Sequence, residues 1–341
     1  MLKTIGSFGV LFSIIIIDAF ITFVIEFSLP VKTFGQSLDI QQQPQQKDSS
    51  NNNNKVVILT FGNAPKSQYT YAKPILDKYG FNASFFIVCD WIPSDNSDKE
   101  EDDENSEDMT WQEIVTLHKE GYDIEAKSFN HKDLTKLSTS DLDFEVGESK
   151  MCLADHNINS RVFGTPYGKG WDNSTVIDTI AKYYDFAITG FSNLMYLNCD
   201  GWNNDQEEKD YQSNIQTDCR TYFDDGTLTY ANRYSIREWS HDSADKENQD
   251  NDQKTFEEFV KVVNSQDNFN DNNNNENGII KAIPIIAYHD LDNGDRISGS
   301  TDVNLFDAEM KYLYDNAFTV LTMADLGYNE NTNQLYIKRF G

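Results

Sequence analysis

KVVILTFGNAPKSQYTYAKPILDKYGFNASFFIVCDW, residues 55–91, decides the fold. Val56 to Phe61 carries no charge, is rich in β-branched residues and ends on a Gly-Asn-Ala-Pro turn, the pattern of a buried strand. Tyr71, Ile75 and Tyr79 then recur at helical spacing within Tyr69 to Tyr79, and Gly80 supplies the stop. Ala83 to Cys89 is a second uncharged run. Strand, helix and strand within one βαβ length predict parallel pairing through a crossover. In such sheets chemistry gathers just past the strand C-termini, here at Gly62, Asn63 and Ala64. None of these three is an acid, a base or a nucleophile.

The same alternation continues. Thr110 and Glu113 form a capping box for a helix running to Lys119, and Tyr122 to Ala126 is a short strand that delivers Lys127 to His131 at its end. A helix from Ser138 to His156, an extended Arg161 to Phe163, a Pro166-Tyr167-Gly168 turn, a helix capped at Asn173 or Ser174 and a strand over Phe186 to Thr189 come next. Thr255 to Val263 reads as an amphipathic helix, Ile279 to Tyr288 as a strand, Leu305 to Asn316 as a helix and Phe318 to Leu321 as the last strand. The fold class is α/β, with mostly parallel strands closed or nearly closed into a barrel.

The chain has 341 residues and a net charge of -28, from 28 basic and 56 acidic residues, which disfavours a nucleic-acid partner. The acidity concentrates in Asp95 to Asp108, Asp242 to Asp252 and Asp267 to Glu276, which read as solvated insertions. Ile5 to Ile25 is apolar except for Asp18 and small polar residues and has spanning length, with Lys3 before it and Glu26 after it. Residues 1–29 therefore read as a signal-anchor or transmembrane segment, with a cleaved signal peptide as the rival; either exports the downstream chain, as a membrane-anchored extracellular domain or a secreted one. Residues 30–54 form a Gln/Asn-rich linker, and 55–341 a domain with acidic insertions at about 93–108, 200–218 and 242–277. Four cysteines allow three pairings, of which Cys199 with Cys219 is preferred because it would staple a polar excursion with little core of its own. No C-x-x-C is present for a thiolate zinc site.

Four short motifs lie in order on this framework: Thr60-Phe61-Gly62-Asn63-Ala64-Pro65, Ser128 to His131, Pro166-Tyr167-Gly168 and Ala287-Tyr288-His289. Together they resemble the NodB-type polysaccharide deacetylases, whose first strand ends T-F-D-D-G-P, and the resemblance runs roughly from Lys55 to Leu326. It implies a NodB-like distorted (β/α) barrel, a zinc-like divalent metal and hydrolysis of a non-peptide C–N bond, the N-acetyl group of an amino-sugar polymer. Carried over residue by residue, the base position holds Gly62, the metal carboxylate position Asn63 and the first metal histidine Lys127, while His131 keeps the second. The arginine that orients the base is replaced by Gly164. The resemblance further implies His289 as general acid, the Tyr167 backbone N–H as an oxyanion donor, and Trp171 and Trp239 as sugar-ring contacts.

The replacements matter chemically. An amide oxygen is a neutral, weak donor, and an ammonium repels a cation. The expected site therefore comprises His289 as a conditional catalytic residue, His131 as a conditional metal ligand, and Asn63, Lys127, His131, Tyr167, Trp171 and Trp239 as substrate contacts. The expected partners are an acetylated amino-sugar polysaccharide and, through the N-terminal segment, a membrane. Against deacetylation stands a non-catalytic carbohydrate-binding or cell-surface scaffold protein.

Overall fold

A computed structural model describes residues 55–93, 107–197, 232–243, 252–267, 280–294, 299–331 and 334–338. Its centre is β1 (Val56–Asn63). Because side chains alternate along a strand, Val57, Leu59 and Phe61 join the core beneath the helices, while Val56 and Ile58 join a second core inside the barrel. Phe61 stacks on Phe85 and Tyr288 at centroid distances of 4.9 and 5.5 Å and meets Phe306 edge-on at 5.8 Å. Truncating so buried a ring would cost about 3–5 kcal/mol.

Around the barrel β1 is followed by β2 (Ser84–Ile87), β3 (Asp123–Ala126), β4 (Val162–Gly164), β5 (Phe186–Phe191), β6 (Ile236–Ser240) and β7 (Ile285–Tyr288), every neighbouring pair parallel. β7 returns to β1 with Ile58 opposite Ile285 and Phe61 opposite Tyr288, closing a seven-stranded parallel barrel. This is the NodB-like distorted (β/α) barrel that the sequence predicts. β8 (Thr319–Leu321) pairs with Val56 to Ile58, and since Ile58 faces both Leu321 and Ile285, β8 lies on the flank of β1 that β2 takes over from Thr60 onward.

Among the described residues the helices are α1 (Lys73–Tyr79), α2 (Trp111–Lys119), α3 (Thr139–Asp155), α4 (Ser174–Ile180), α5 (Asp252–Asn264) and α6 (Val303–Asp315). The capping box of Thr110 and Glu113 is formed, and Asn173 caps α4 through the Val176 N–H. Gly80 stops α1 in the left-handed conformation, φ 70°, where a Cβ would be strained.

Several expectations change. α1 is preceded by a π turn, Gln68–Ala72, in which the buried Gln68 amide reaches inward to donate to the Gly62 and His289 carbonyls at 2.7 and 2.6 Å. The run Ile279 to Tyr288 splits at Pro284, which has no N–H for the ladder; Ala282–Ile283 pairs antiparallel with Met195–Tyr196 instead of continuing β7. Phe318 to Leu321 is not the last strand, because an antiparallel hairpin, Leu326–Asn329 with Gln334–Ile337, comes after it and buries Leu326 and Leu335 in the inner core. Within the supposed insertion 242–277, α5 buries Phe256, Phe259, Val262 and Val263, so this part belongs to the helix layer. A disulfide joins Cys89, just beyond β2, to Cys152 in α3. The preferred pair Cys199–Cys219, the segment 1–29, the linker 30–54 and the insertion 200–218 lie outside the described residues. Among the described residues no helix is long and apolar enough to cross a membrane.

Candidate active site at the barrel mouth

Alternation along the strands fixes which side chains meet inside the barrel. Thr60 and Gly62 of β1, Glu238 of β6 and Ala287 of β7 face inward, and Lys127 and His289, each the first residue past its strand, continue the inward faces of β3 and β7. They line one pocket with Phe86 and Gly164, of about 10 Å³, room for a single water.

Gly62 and Lys127 are complementary. A Cβ at residue 62 would lie 2.7 Å from Lys127 Nζ and 2.9 Å from His289 Cδ2, so the amine takes the space that a side chain at 62 would fill. Lys127 is 8% exposed, and no hydrogen bond or ion pair reaches its nitrogen among the described residues. Burial lowers its pKa, with the charges of Glu238 and Asp242 acting partly against that shift. Glu238 is held across the pocket by the Thr60 hydroxyl, which donates to it at 3.0 Å.

His289 is fixed by Asp242. The carboxylate accepts from the His289 backbone N–H at 2.6 Å and from Nδ1–H at 2.9 Å, which leaves Nε2 facing the pocket, 3.1 Å from the position of a Cβ on Gly62. Behind the dyad the network continues into the core. Thr301 Oγ1 donates to Asp242 at 2.6 Å and lies 3.1 Å from His241 Nδ1, while His241 Nε2 donates to Glu309 at 2.6 Å, as does the Tyr288 hydroxyl at 2.8 Å. Burial disfavours a charged His241, but Glu309 and Asp242 outweigh it and raise its pKa to about 10. Burial likewise pushes Asp242 up, yet its bonds from His241 and His289 hold it down at about 2. An imidazolium between two carboxylates is thus built into the core beneath His289.

His131 lies on the rim beside this pocket. Its ring sits 5.1 Å from that of Trp91 and 4.9 Å from that of Tyr167, and Lys169 stands over Tyr167 at 5.6 Å. Trp91 is 39% exposed and Tyr167 56%, so with His131 they form an aromatic shelf. Burial, with the positive charge of Lys127 and His289 adding to it, lowers the His131 pKa to about 4, so the ring is neutral. Asn63, Ala64, Ser128, His131 and Tyr167 all have positive φ, between 57° and 77°. Such strain persists only where surrounding structure enforces it and often marks functional loops.

The structure therefore brings Lys127 and His289 into one pocket with Gly62, and His131 and Tyr167 onto the adjoining shelf. Among the described residues the buried Oδ1 of Asn63 has no hydrogen-bond partner. Trp171 lies under the Arg237 guanidinium at 5.3 Å, and Trp239 packs edge-on to His241 at 5.3 Å against the helix-layer core, so neither lines the pocket. Three residues escaped the sequence reading. Asp242, read there as the start of a solvated acidic run, has a buried carboxylate committed to His289. Glu238 was signalled by the alternation Ile236, Glu238, Ser240 in a strand, and Trp91 by its place just beyond one.

The divalent metal implied by the resemblance can be tested against these donors. An uncharged amide at Asn63, an amine pressed against Gly62 and His131 as the one remaining imidazole of the set do not make a cation site, and no group of three or more His, Cys, Asp or Glu side chains suited to a metal occurs among the described residues. The residues present do not fit the metal.

Residues 49–187 match the family model described as polysaccharide deacetylase. No curated protein matches the chain. Similar solved structures include a family 4 carbohydrate esterase from Streptomyces lividans in complex with acetate, 13% identical over 84% of this chain and 99% of that one, with a TM-score of 0.45. A mutant of peptidoglycan deacetylase PdaC from Bacillus subtilis is 15% identical over 80% and 89% of the two chains, TM-score 0.42. A mutant of a CE4 family pseudoenzyme is 13% identical over 80% and 67%, TM-score 0.44. The matched stretch carries β1, the Ser128–His131 turn and the Pro-Tyr-Gly turn, and over these residues the chain is similar to the polysaccharide deacetylases.

Proposed function

We propose that this protein binds an N-acetylated cell-surface polysaccharide at the barrel mouth without the metal-dependent deacetylation of its family. One observation carries the reading: Lys127 Nζ stands against Gly62, where the family places a carboxylate base beside a metal. A hydrolytic water there would have no Lewis acid and no carboxylate at position 62 to activate it, and the carboxylate that does line the pocket, Glu238, is held across it by Thr60. Support for binding comes from the shelf of Trp91, His131 and Tyr167, in which the exposed Trp91 and Tyr167 rings suit the apolar face of a pyranose. Export through residues 1–29, as a membrane-anchored extracellular domain or a secreted one, would bring this surface to such a polymer.

The family reaction remains the second reading because the His289–Asp242 pair, a positioned acid, is intact. The two separate in a titration of chito-oligosaccharides followed by NMR or calorimetry, with acetate measured in the same samples. Binding without acetate is expected, and Trp91→Ala or Tyr167→Ala should each weaken it about tenfold, the loss of roughly 1.4 kcal/mol of ring contact. Binding unaffected by both substitutions would remove the shelf from the account.

A further inference from the structure

We propose that Lys127 is a reactive amine that captures a small aldehyde as an imine inside the barrel mouth. The inference goes beyond polysaccharide binding, since an amine does not form an imine with an acetamide, and it stands independently of that reading.

Lysine nucleophiles need three things: a nitrogen free of hydrogen bonds, surroundings that favour the neutral form, and a neighbour able to move protons. Lys127 has the first, with no bond or ion pair at Nζ among the described residues. It has the second in a buried position walled by Phe86, Ile188 and Ala287, where burial lowers its pKa and outweighs the opposing charges of Glu238, across the pocket, and Asp242. His289 supplies the third. With Nδ1–H committed to Asp242, its Nε2 and the Lys127 nitrogen flank the same open side of Gly62, at 3.1 and 2.7 Å from where a Cβ would be. The space at the amine is about that of one water, enough for a carbonyl group alone, which limits the partner to the smallest aldehydes.

The chemistry balances without a cofactor. The neutral Nζ adds its lone pair to the carbonyl carbon as the C=O π pair moves to oxygen, and His289 Nε2 carries one proton from nitrogen to that oxygen, giving a carbinolamine. His289, protonated again from solvent, delivers a proton to the hydroxyl, which leaves as water while the nitrogen lone pair forms the C=N bond. The product is a protonated imine, and water reverses each step. Nothing is oxidised or reduced.

Full-length protein is incubated at pH 7 with acetaldehyde and cyanoborohydride, which reduces any imine to a stable ethylamine, and the modified lysines are mapped by mass spectrometry. Lys127 should be ethylated at least about tenfold faster than any other lysine, as expected of an amine with a lowered pKa. His289→Asn should slow that site with the surface lysines unchanged. Gly62→Asp should abolish the selectivity by placing a carboxylate beside the amine that holds its proton. Lys127→Arg, checked for folding by circular dichroism, should lose the fast phase. Modification of Lys127 no faster than the surface lysines overturns the proposal, as does a fast phase that survives in Lys127→Arg; the wild-type map alone decides if that variant does not fold.

Discussion

Glu125 and Lys127 stand two residues apart on the same inward face of β3 and its extension, both buried, both shifted by that burial toward their neutral forms, and treated oppositely by their neighbours. Glu125, toward the barrel floor, is saturated: one carboxylate oxygen accepts from the Ser160 hydroxyl at 2.7 Å and from the Arg161 and Val162 backbone N–H groups at 2.7 and 2.8 Å. Lys127, at the mouth, has no such partner. A saturated buried carboxylate pins β3 to β4, whereas an unsatisfied buried amine is a standing cost that folding alone does not require. The floor is built for stability and the mouth for use, as strand ends of α/β barrels generally are.

The largest effect that would sharpen this contrast is at the floor. Glu125→Ala strands a hydroxyl and two backbone N–H groups, and urea denaturation should show a loss of about 3–5 kcal/mol. A loss below about 1 kcal/mol would remove the structural role given to the floor.

The network under His289 falls between the two. His241 is raised from 6.5 to about 10, so its contribution is complete below the unfolded value near 6.5 and is lost as pH rises through 10. Between pH 7 and 10 stability should fall by up to about 1.4 kcal/mol per unit, and His241→Gln should flatten that slope. An unchanged slope in the variant would mean that the imidazolium is not what Asp242 and Glu309 hold.

The smallest effect belongs to the mouth. Lys127→Met removes a desolvated amine and leaves Glu238 with its Thr60 bond, so denaturation should show stability unchanged or raised by about 1 kcal/mol. A loss comparable to that of Glu125→Ala would erase the distinction between the two ends.

Much of this was legible in the sequence because it depends on local pattern. The uncharged run of β1, the Thr110–Glu113 box and the strand that ends before His289 each carry their signal within a few residues. Periodicity does not reveal what an acidic tract hides. Asp242 precedes a long charged stretch and reads as solvated, but a turn right after β6 aims its carboxylate under His289 from 47 residues away. Trp239 shows the converse, an aromatic beside a site whose strand parity turns it toward the helices. Parity also explains Glu238, which two-residue alternation alone would have placed in the barrel. The Cys89–Cys152 bridge spans 63 residues and has no local signal. Gly62 and Lys127 are individually uninformative, and only their proximity shows that one makes room for the other.

The central claim is that an amine has taken the place of the metal and its base. It is tested most directly by acetate release from chito-oligosaccharides with and without added zinc, comparing the natural chain with the triple variant Gly62→Asp, Asn63→Asp, Lys127→His. Gly164 is left alone, because a Cβ there would meet Phe86 at 2.9 Å. The account predicts no zinc-dependent acetate release from the natural chain and retained zinc, followed by measurable release, in the variant. Zinc-stimulated acetate release by the natural chain would contradict it.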